Sequence, residues 1–193
     1  MIYQPTISKE DIATLPLAAF QGKTIVVDRL EQVNDAIDYL KQQPLVGFDT
    51  ETKPNFSPSS HNQVALLQIS SANVCYLFRL SMLGMPLALL QLLNDSNVLK
   101  IGLSLRDDFN ALSKRAVIHK DSFVDLQNMV ENYDIQEKSL VKLYAIIFGK
   151  RISKNKRLSN WEAQPLTEAQ QLYAATDAWA CYEIYTHLTH NNR

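Results

Sequence analysis

Three stretches of this chain carry acidic side chains at spacings that could hold a cation. In Val46-Gly47-Phe48-Asp49-Thr50-Glu51-Thr52-Lys53-Pro54 a mostly apolar run delivers two carboxylates, one residue apart, to a turn. Residues i and i+2 of an extended strand share a face about 6.6 Å apart, so Asp49 and Glu51 can converge on one cation while Thr50 points away. A D-x-E pair alone is more often two solvated acids at a strand end. The second stretch, Ser104 to Leu112, reads as a helix start. Its S-x-x-D pattern gives Asp107 a capping task, reaching back to Ser104. Asp108 shares the stripe of Leu105, Phe109 and Leu112 instead, and a core-facing carboxylate is costly unless something pairs with it. A metal ion would, so Asp108 rather than Asp107 is the functional candidate. In the third stretch, Tyr173 and Asp177 lie four apart on a helix and reach the same point in space. The plain alternatives are a core-edge aromatic and a surface acid, but Asp177 is flanked by Ala174, Ala175, Ala178 and Ala180, which argues against full exposure.

Four carboxylates gathered together repel one another and need compensating cations. Oxygen-only ligands without Cys or paired His favour Mg²⁺ or Mn²⁺ over Zn²⁺. Two such ions about 3.5 to 4 Å apart suit in-line displacement at a phosphodiester, one activating water and the other stabilising the leaving oxygen. Tyr173, one turn before Asp177, could orient that water.

The elements that must position these groups follow from periodicity. Thr24 to Asp28 reads as a strand, and Leu30, Val33, Ile37 and Leu40 recur at helical spacing. The buried character of the strand ending at Asp49 predicts a central place in a sheet. Lys53 to Asn62, with Pro54, Pro58 and His61, reads as a loop beside the carboxylates, placed to touch substrate. Gln63–Ser70 and Val74–Arg79 form an expected antiparallel hairpin. A short helix over Pro86–Leu93, a strand over Val98–Ile101 and a strand from Ser122 ending near Asp125 follow, with Asp125 equally a helix cap or a site acid. Leu140–Phe148 reads as a helix ended by Gly149. Thr167 and Gln170 form a capping box for a last helix to about His187, whose seam is Ala174, Ala178, Cys181, Tyr185 and Leu188. Residues 1–22, broken by Pro5, Pro16 and Gly22, read as an arm laid over a single domain of residues 23–193.

Composition narrows the class. With 193 residues and 46% hydrophobic content the chain can bury a full core, and no low-complexity tract or repeat points to disorder or a solenoid. Cys75 and Cys181 lie far apart in apolar segments and read as reduced thiols, which fits a cytoplasmic protein with no signal peptide or membrane span. The formal net charge of -1 gives no global sign of a nucleic-acid binder. Locally, Lys150, Arg151, Lys154, Lys156 and Arg157 fall in a stretch with no acid. Such a stretch is usually a solvated loop unless a polyanion site lies beside it. His61, His119, His187 and His190 match no metal-ligand pattern.

On these residues the chain resembles the DEDD-type 3′–5′ exonucleases, in the tyrosine branch with ribonuclease D and the Werner-type exonuclease domain. Phe48-Asp49-Thr50-Glu51 matches the first motif, with Lys53-Pro54 and Val64-Ala65-Leu66-Leu67-Gln68 alongside. Lys100-Ile101-Gly102 through Asp108 matches the second, and Tyr173-Ala174-Ala175-Thr176-Asp177-Ala178 the third. Asn160-Trp161 ahead of Pro165-Leu166 is also similar, and the match covers residues 24–188. The resemblance implies an α/β, RNase H-like (DnaQ-type) fold with a mixed sheet whose early strands are antiparallel. It implies two bound Mg²⁺ or Mn²⁺ ions and release of nucleoside monophosphates from the 3′ end of single-stranded or frayed DNA or RNA. Asp49 would bridge both ions, Glu51 and Asp177 would complete the water-activating site, Asp108 would support the second ion, and Tyr173 would position the nucleophile. Beside such a site Lys154 and its neighbours are expected to contact phosphate. Lys53 would do so too, or simply balance the acids. The sequence to Arg193 has no counterpart of the C-terminal nucleic-acid-binding domain of longer ribonuclease D relatives, so the resemblance implies neither processivity nor tight RNA binding. The alternative is a nucleic-acid-binding or partner-docking module with this fold and no turnover, marked by a missing acid. None is missing.

Overall fold

A computed structural model describes residues 2–54 and 63–190. The expected loop from Lys53 to Asn62, His61 included, falls outside the described residues beyond Pro54. Six strands form one sheet: β1 (Lys23–Val27), β2 (Leu45–Thr52), β3 (Val64–Ser70), β4 (Val74–Phe78), β5 (Leu99–Gly102) and β6 (Phe123–Asp125), in the order β1-β4-β3-β2-β5-β6. The strand bearing Asp49 is central, as its apolar approach predicts. It runs antiparallel to β3 and parallel to β5. The β3–β4 hairpin is antiparallel, closed where the Ser71 N–H donates to the Val74 carbonyl at 2.9 Å. The expectation of antiparallel early strands holds for β2, β3 and β4 but not for β1, which pairs parallel with β4.

Side chains alternate across the sheet and divide the core. Phe48, Leu67, Ile69 and Phe78 face one layer, which packs on α2 (Val33–Leu40), α4 (Leu87–Leu93) and α5 (Leu105–Leu112). Leu66, Cys75 and Leu77 face the other, under α8 (Glu168–His190), whose Ala174, Ala175, Ala178 and Cys181 are buried. Helix α8 starts with the expected box: the Gln170 N–H donates to Thr167 Oγ1 at 3.3 Å, and the Thr167 N–H donates to Gln170 Oε1 at 3.0 Å. Alanines along its seam allow close approach to β2, and Gly47 completes the fit. A Cβ at position 47 would lie 1.8 Å from the Ala178 carbonyl oxygen.

Two local expectations are corrected. The arm contains a helix, α1 (Lys9–Thr14), capped by Ser8, whose Oγ accepts from the Asp11 N–H at 3.0 Å. It buries none of its residues, so no apolar period marks it in the sequence. After α1 the arm docks: the Arg151 N–H donates to the Pro16 carbonyl at 3.0 Å, the Ala18 N–H to the Arg151 carbonyl at 2.8 Å, and the N–H of buried Phe20 to Thr176 Oγ1 at 3.1 Å. At α5, Ser104 is not a side-chain cap and its backbone is left-handed, with φ of 60°. Asp125 takes that task from a different strand, accepting from the Ser104 and Leu105 N–H groups at 3.0 and 2.9 Å. It also accepts from the Gln127 N–H at 2.9 Å and so caps α6 (Leu126–Met129). Asp125 is therefore a double cap, and among the described residues no helix cap is made by the Asp107 side chain.

Candidate active site

The end of β2 presents Asp49 and Glu51 on the face covered by α8, where Asp177 descends from the helix. One carboxylate oxygen from each of the three lies within 4.8 Å of the others, close enough for a single cation. Asp49 and Glu51 are half-buried and Asp177 is 8% exposed. Asp108 arrives from the opposite side of the sheet. Its Oδ1 accepts a short hydrogen bond from the Thr50 hydroxyl, so the residue between the two acids of the strand holds the carboxylate from α5. Thr50 does point away from its neighbours, yet its task at the site was missed; its place in D-T-E, on the α5 side of the strand, was the available signal.

Burial pushes every one of these acids up, and repulsion from the others adds to it at Asp49 and Glu51. Asp49 stands well above the usual carboxylate range, first through desolvation, then through the charges of Asp108, Asp177 and Glu51, against a backbone hydrogen bond from Thr50. Glu51 is pushed to about 9 by burial and by Asp177 and Asp108, with Arg157 opposing. Asp177 is pushed to about 7 by burial, moderated by a hydrogen bond from Tyr173 and by Lys154. Asp108 rises to about 6 through burial, offset in part by Thr50. Such a set is poorly stable with all its charges unless cations join it, and an all-oxygen donor set fits Mg²⁺ or Mn²⁺.

Tyr173 is 9% exposed and packs on Trp161 with ring centroids 5.9 Å apart. Its hydroxyl donates to Asp177, and burial beside Asp177, Glu51 and Asp49 raises its pKa far above the ordinary phenol value. At neutral pH it is a hydrogen-bond donor and not a base. Among the basic residues, Lys154 and Arg157 exert their fields on Asp177 and Glu51 respectively. Lys150 acts on Glu183, and Arg151 is tied into the arm, its Nε donating to the Leu15 carbonyl at 3.0 Å. Lys53 at the end of β2 pairs with Glu162 at 3.1 Å.

A family model described as 3′–5′ exonuclease matches residues 24–192. The chain belongs to the DEDD-type 3′–5′ exonuclease family. The mouse bifunctional 3′–5′ exonuclease/ATP-dependent helicase WRN is 37% identical over 155 residues, covering 77% of this chain and 11% of that protein. The crystal structure of the Nibbler EXO domain from Aedes aegypti superposes with a TM-score of 0.79 at 25% identity, covering 90% of this chain and 94% of that one. The Trypanosoma brucei RNase D complex with RNA U12 has a TM-score of 0.75 at 21% identity over 88% of this chain and 63% of that one, a likeness of fold. This chain spans from about a tenth to about a quarter of the first curated relatives it matches, at 11%, 27% and 26% of their lengths. The RNase H-like mixed sheet expected from the resemblance is the fold observed. Among the described residues, no helix is long and apolar enough to cross a membrane.

Proposed function

We propose that residues 23–193 form a metal-dependent exonuclease domain that hydrolyses phosphodiester bonds from the 3′ end of single-stranded or frayed DNA or RNA, releasing nucleoside monophosphates. The observation that carries this reading is the convergence of Asp49, Glu51 and Asp177 within 4.8 Å, with Asp49 and Glu51 half-buried. Asp49, Glu51, Asp177 and Asp108 would hold two Mg²⁺ or Mn²⁺ ions. When bound, the ions supply the Lewis acidity for an in-line displacement.

The chain's own residues supply the rest. The Tyr173 hydroxyl stays protonated and, with its one O–H donated to Asp177, orients the attacking water by accepting a hydrogen bond from it. Lys154 and Arg157 put positive charge beside the acids and draw the phosphate backbone in. Lys53 stands at the strand end with Glu162, and an exposed pair of this kind is weak enough to open toward a phosphate. Partial burial of the acids limits competing water. The two buried free thiols suit a reducing compartment such as the cytoplasm.

Single-stranded DNA and RNA oligonucleotides labelled at the 5′ end, incubated with the protein and Mn²⁺, should give a ladder of shortened products that EDTA abolishes. No ladder on either polymer sinks the reading. Calorimetry with Mn²⁺ separates it from a module without turnover, which would bind no ion at the cluster.

A further inference from the structure

Gln68 is fully buried at 0% exposure, and neither its Nε2 nor its Oε1 has a hydrogen-bond partner among the described residues. A buried amide left this way is costly, and buried polar groups are nearly always satisfied. A residue under no functional constraint would be expected to be a leucine here, as at positions 66 and 77 on the same face.

The register shows what lies within reach. Gln68 stands directly opposite Asp49 on β2 and opposite Leu77 on β4. Directly opposed residues of an antiparallel pair share a face, with Cβ atoms about 4.5–5.5 Å apart. Two positions along β3 on that face are Leu66 and Ser70, and the Ser70 hydroxyl already donates to the Ser71 carbonyl at 2.9 Å. On β2 the diagonal neighbours are Gly47, with no side chain, and Glu51. The polar side chains on β2 facing the Gln68 amide therefore belong to the acidic cluster, with Asp49 the nearer in register.

We propose that Gln68 is a positioning residue of the active site: its side-chain amide, unpartnered among the described residues and opposite Asp49 in register, donates to the Asp49 carboxylate once cations bind and so orients that carboxylate as a ligand. Gln68 reaches the reacting atoms only through Asp49. The inference rests on the exonuclease reading above, since it needs Asp49 to be a ligand. Hydrogen-bond partners that orient metal ligands typically contribute about 10–100-fold to metal affinity or activity.

The test is calorimetric titration of Mg²⁺ and Mn²⁺ into the wild type, Gln68→Met and Asp49→Asn, with thermal melts in EDTA beside each. Methionine keeps the length and removes both amide atoms. Gln68→Met is expected to bind ions about 10–100-fold more weakly, to melt in EDTA no lower than the wild type, and to lose kcat on an oligonucleotide with KM unchanged. Undiminished ion affinity in Gln68→Met overturns the proposal and leaves the amide to a structural role, beside groups such as the indole Nε1–H of Trp161, another buried polar atom without a partner among the described residues. Undiminished affinity in Asp49→Asn overturns the site itself, a distinguishable failure. If Gln68→Met does not fold, the wild type still decides: on adding Mg²⁺ the Gln68 side-chain amide resonances should shift and their hydrogen exchange should slow. No response in either overturns the proposal.

Discussion

The sheet buries charge in two places and treats it in opposite ways. On β5, Lys100 is fully buried, and its Nζ donates to the Asp95 carbonyl at 2.7 Å and to the Ser122 hydroxyl, with the Phe123 ring centroid 5.0 Å away. Burial pushes this ammonium down to about 8, with Asp95 opposing, and the groups around it are fixed acceptors of the protein itself. On β2, in the neighbouring strand, Asp49 and Glu51 meet Asp177 and Asp108 with no buried cation among the described residues beside them. Lys154 and Arg157, the basic residues that act on them, are both exposed. A structural charge brings its counterpart with it. The acidic cluster leaves its compensation to what arrives from solvent, and burial holds its pKa values up, as is common at functional sites.

The contrast can be broken or sharpened by experiment. The largest effect belongs to Asp49→Asn, which should cut exonuclease turnover by more than the ~10–100-fold typical of losing a ligand's hydrogen-bond partner, while its melting temperature in EDTA stays level or rises because repulsion is relieved. Full activity in that variant would remove the β2 cluster from the comparison. Next comes pH. Glu51 and Asp177 have folded values of about 9 and about 7 against ordinary values of 4.5 and 3.8. The native state therefore keeps protons that the unfolded chain has released. The stability this contributes is present below the ordinary values and is lost as pH rises through about 7 and about 9. Melts in EDTA should show this loss, and the stabilisation by Mg²⁺ should grow over the same range because ions displace protons. A Mg²⁺ effect that shrank with rising pH would contradict the assignment.

Lys100→Met should destabilise by about 1–3 kcal/mol, since it strands buried acceptors, yet leave the oligonucleotide ladder intact at a temperature where the variant is folded. Chemical denaturation and the ladder assay together check this, and loss of activity without loss of stability would erase the distinction between the two buried charges. The smallest effect is expected of Glu162→Gln, which breaks the exposed pair with Lys53: a stability change of at most ~1 kcal/mol by denaturant titration, with turnover retained.

The two regions also differ in how far the sequence exposed them. The central strand, the hairpin, the seam of α8 and its capping box are carried by local patterns of period 2 or 3.6, and the structure contains them. Convergence of Asp49, Glu51 and Asp177 is expected from their strand and helix spacing in apolar surroundings together with the ordered motifs of the exonuclease resemblance, since a D-x-E pair alone is weak. What remained hidden depends on contacts between distant segments. Asp125 caps α5 from a neighbouring strand, 20 residues from Leu105. Thr50 reaches Asp108 across 58 residues. The separation of Lys154 and Arg157 from Arg151 needs the path of the arm, whose short exposed helix leaves no apolar period to read. No nearest-neighbour rule contains such pairings.

Gly47 shows how little matter can set the dimensions of such a site. Helix α8 rests against β2 where a side chain is missing, and even one methyl group at position 47 would collide with the Ala178 carbonyl, next in sequence to Asp177. Lifting the helix to make room would draw Asp177 away from the strand that bears Asp49. A residue with no functional group thus acts as the gauge of the gap between the acids.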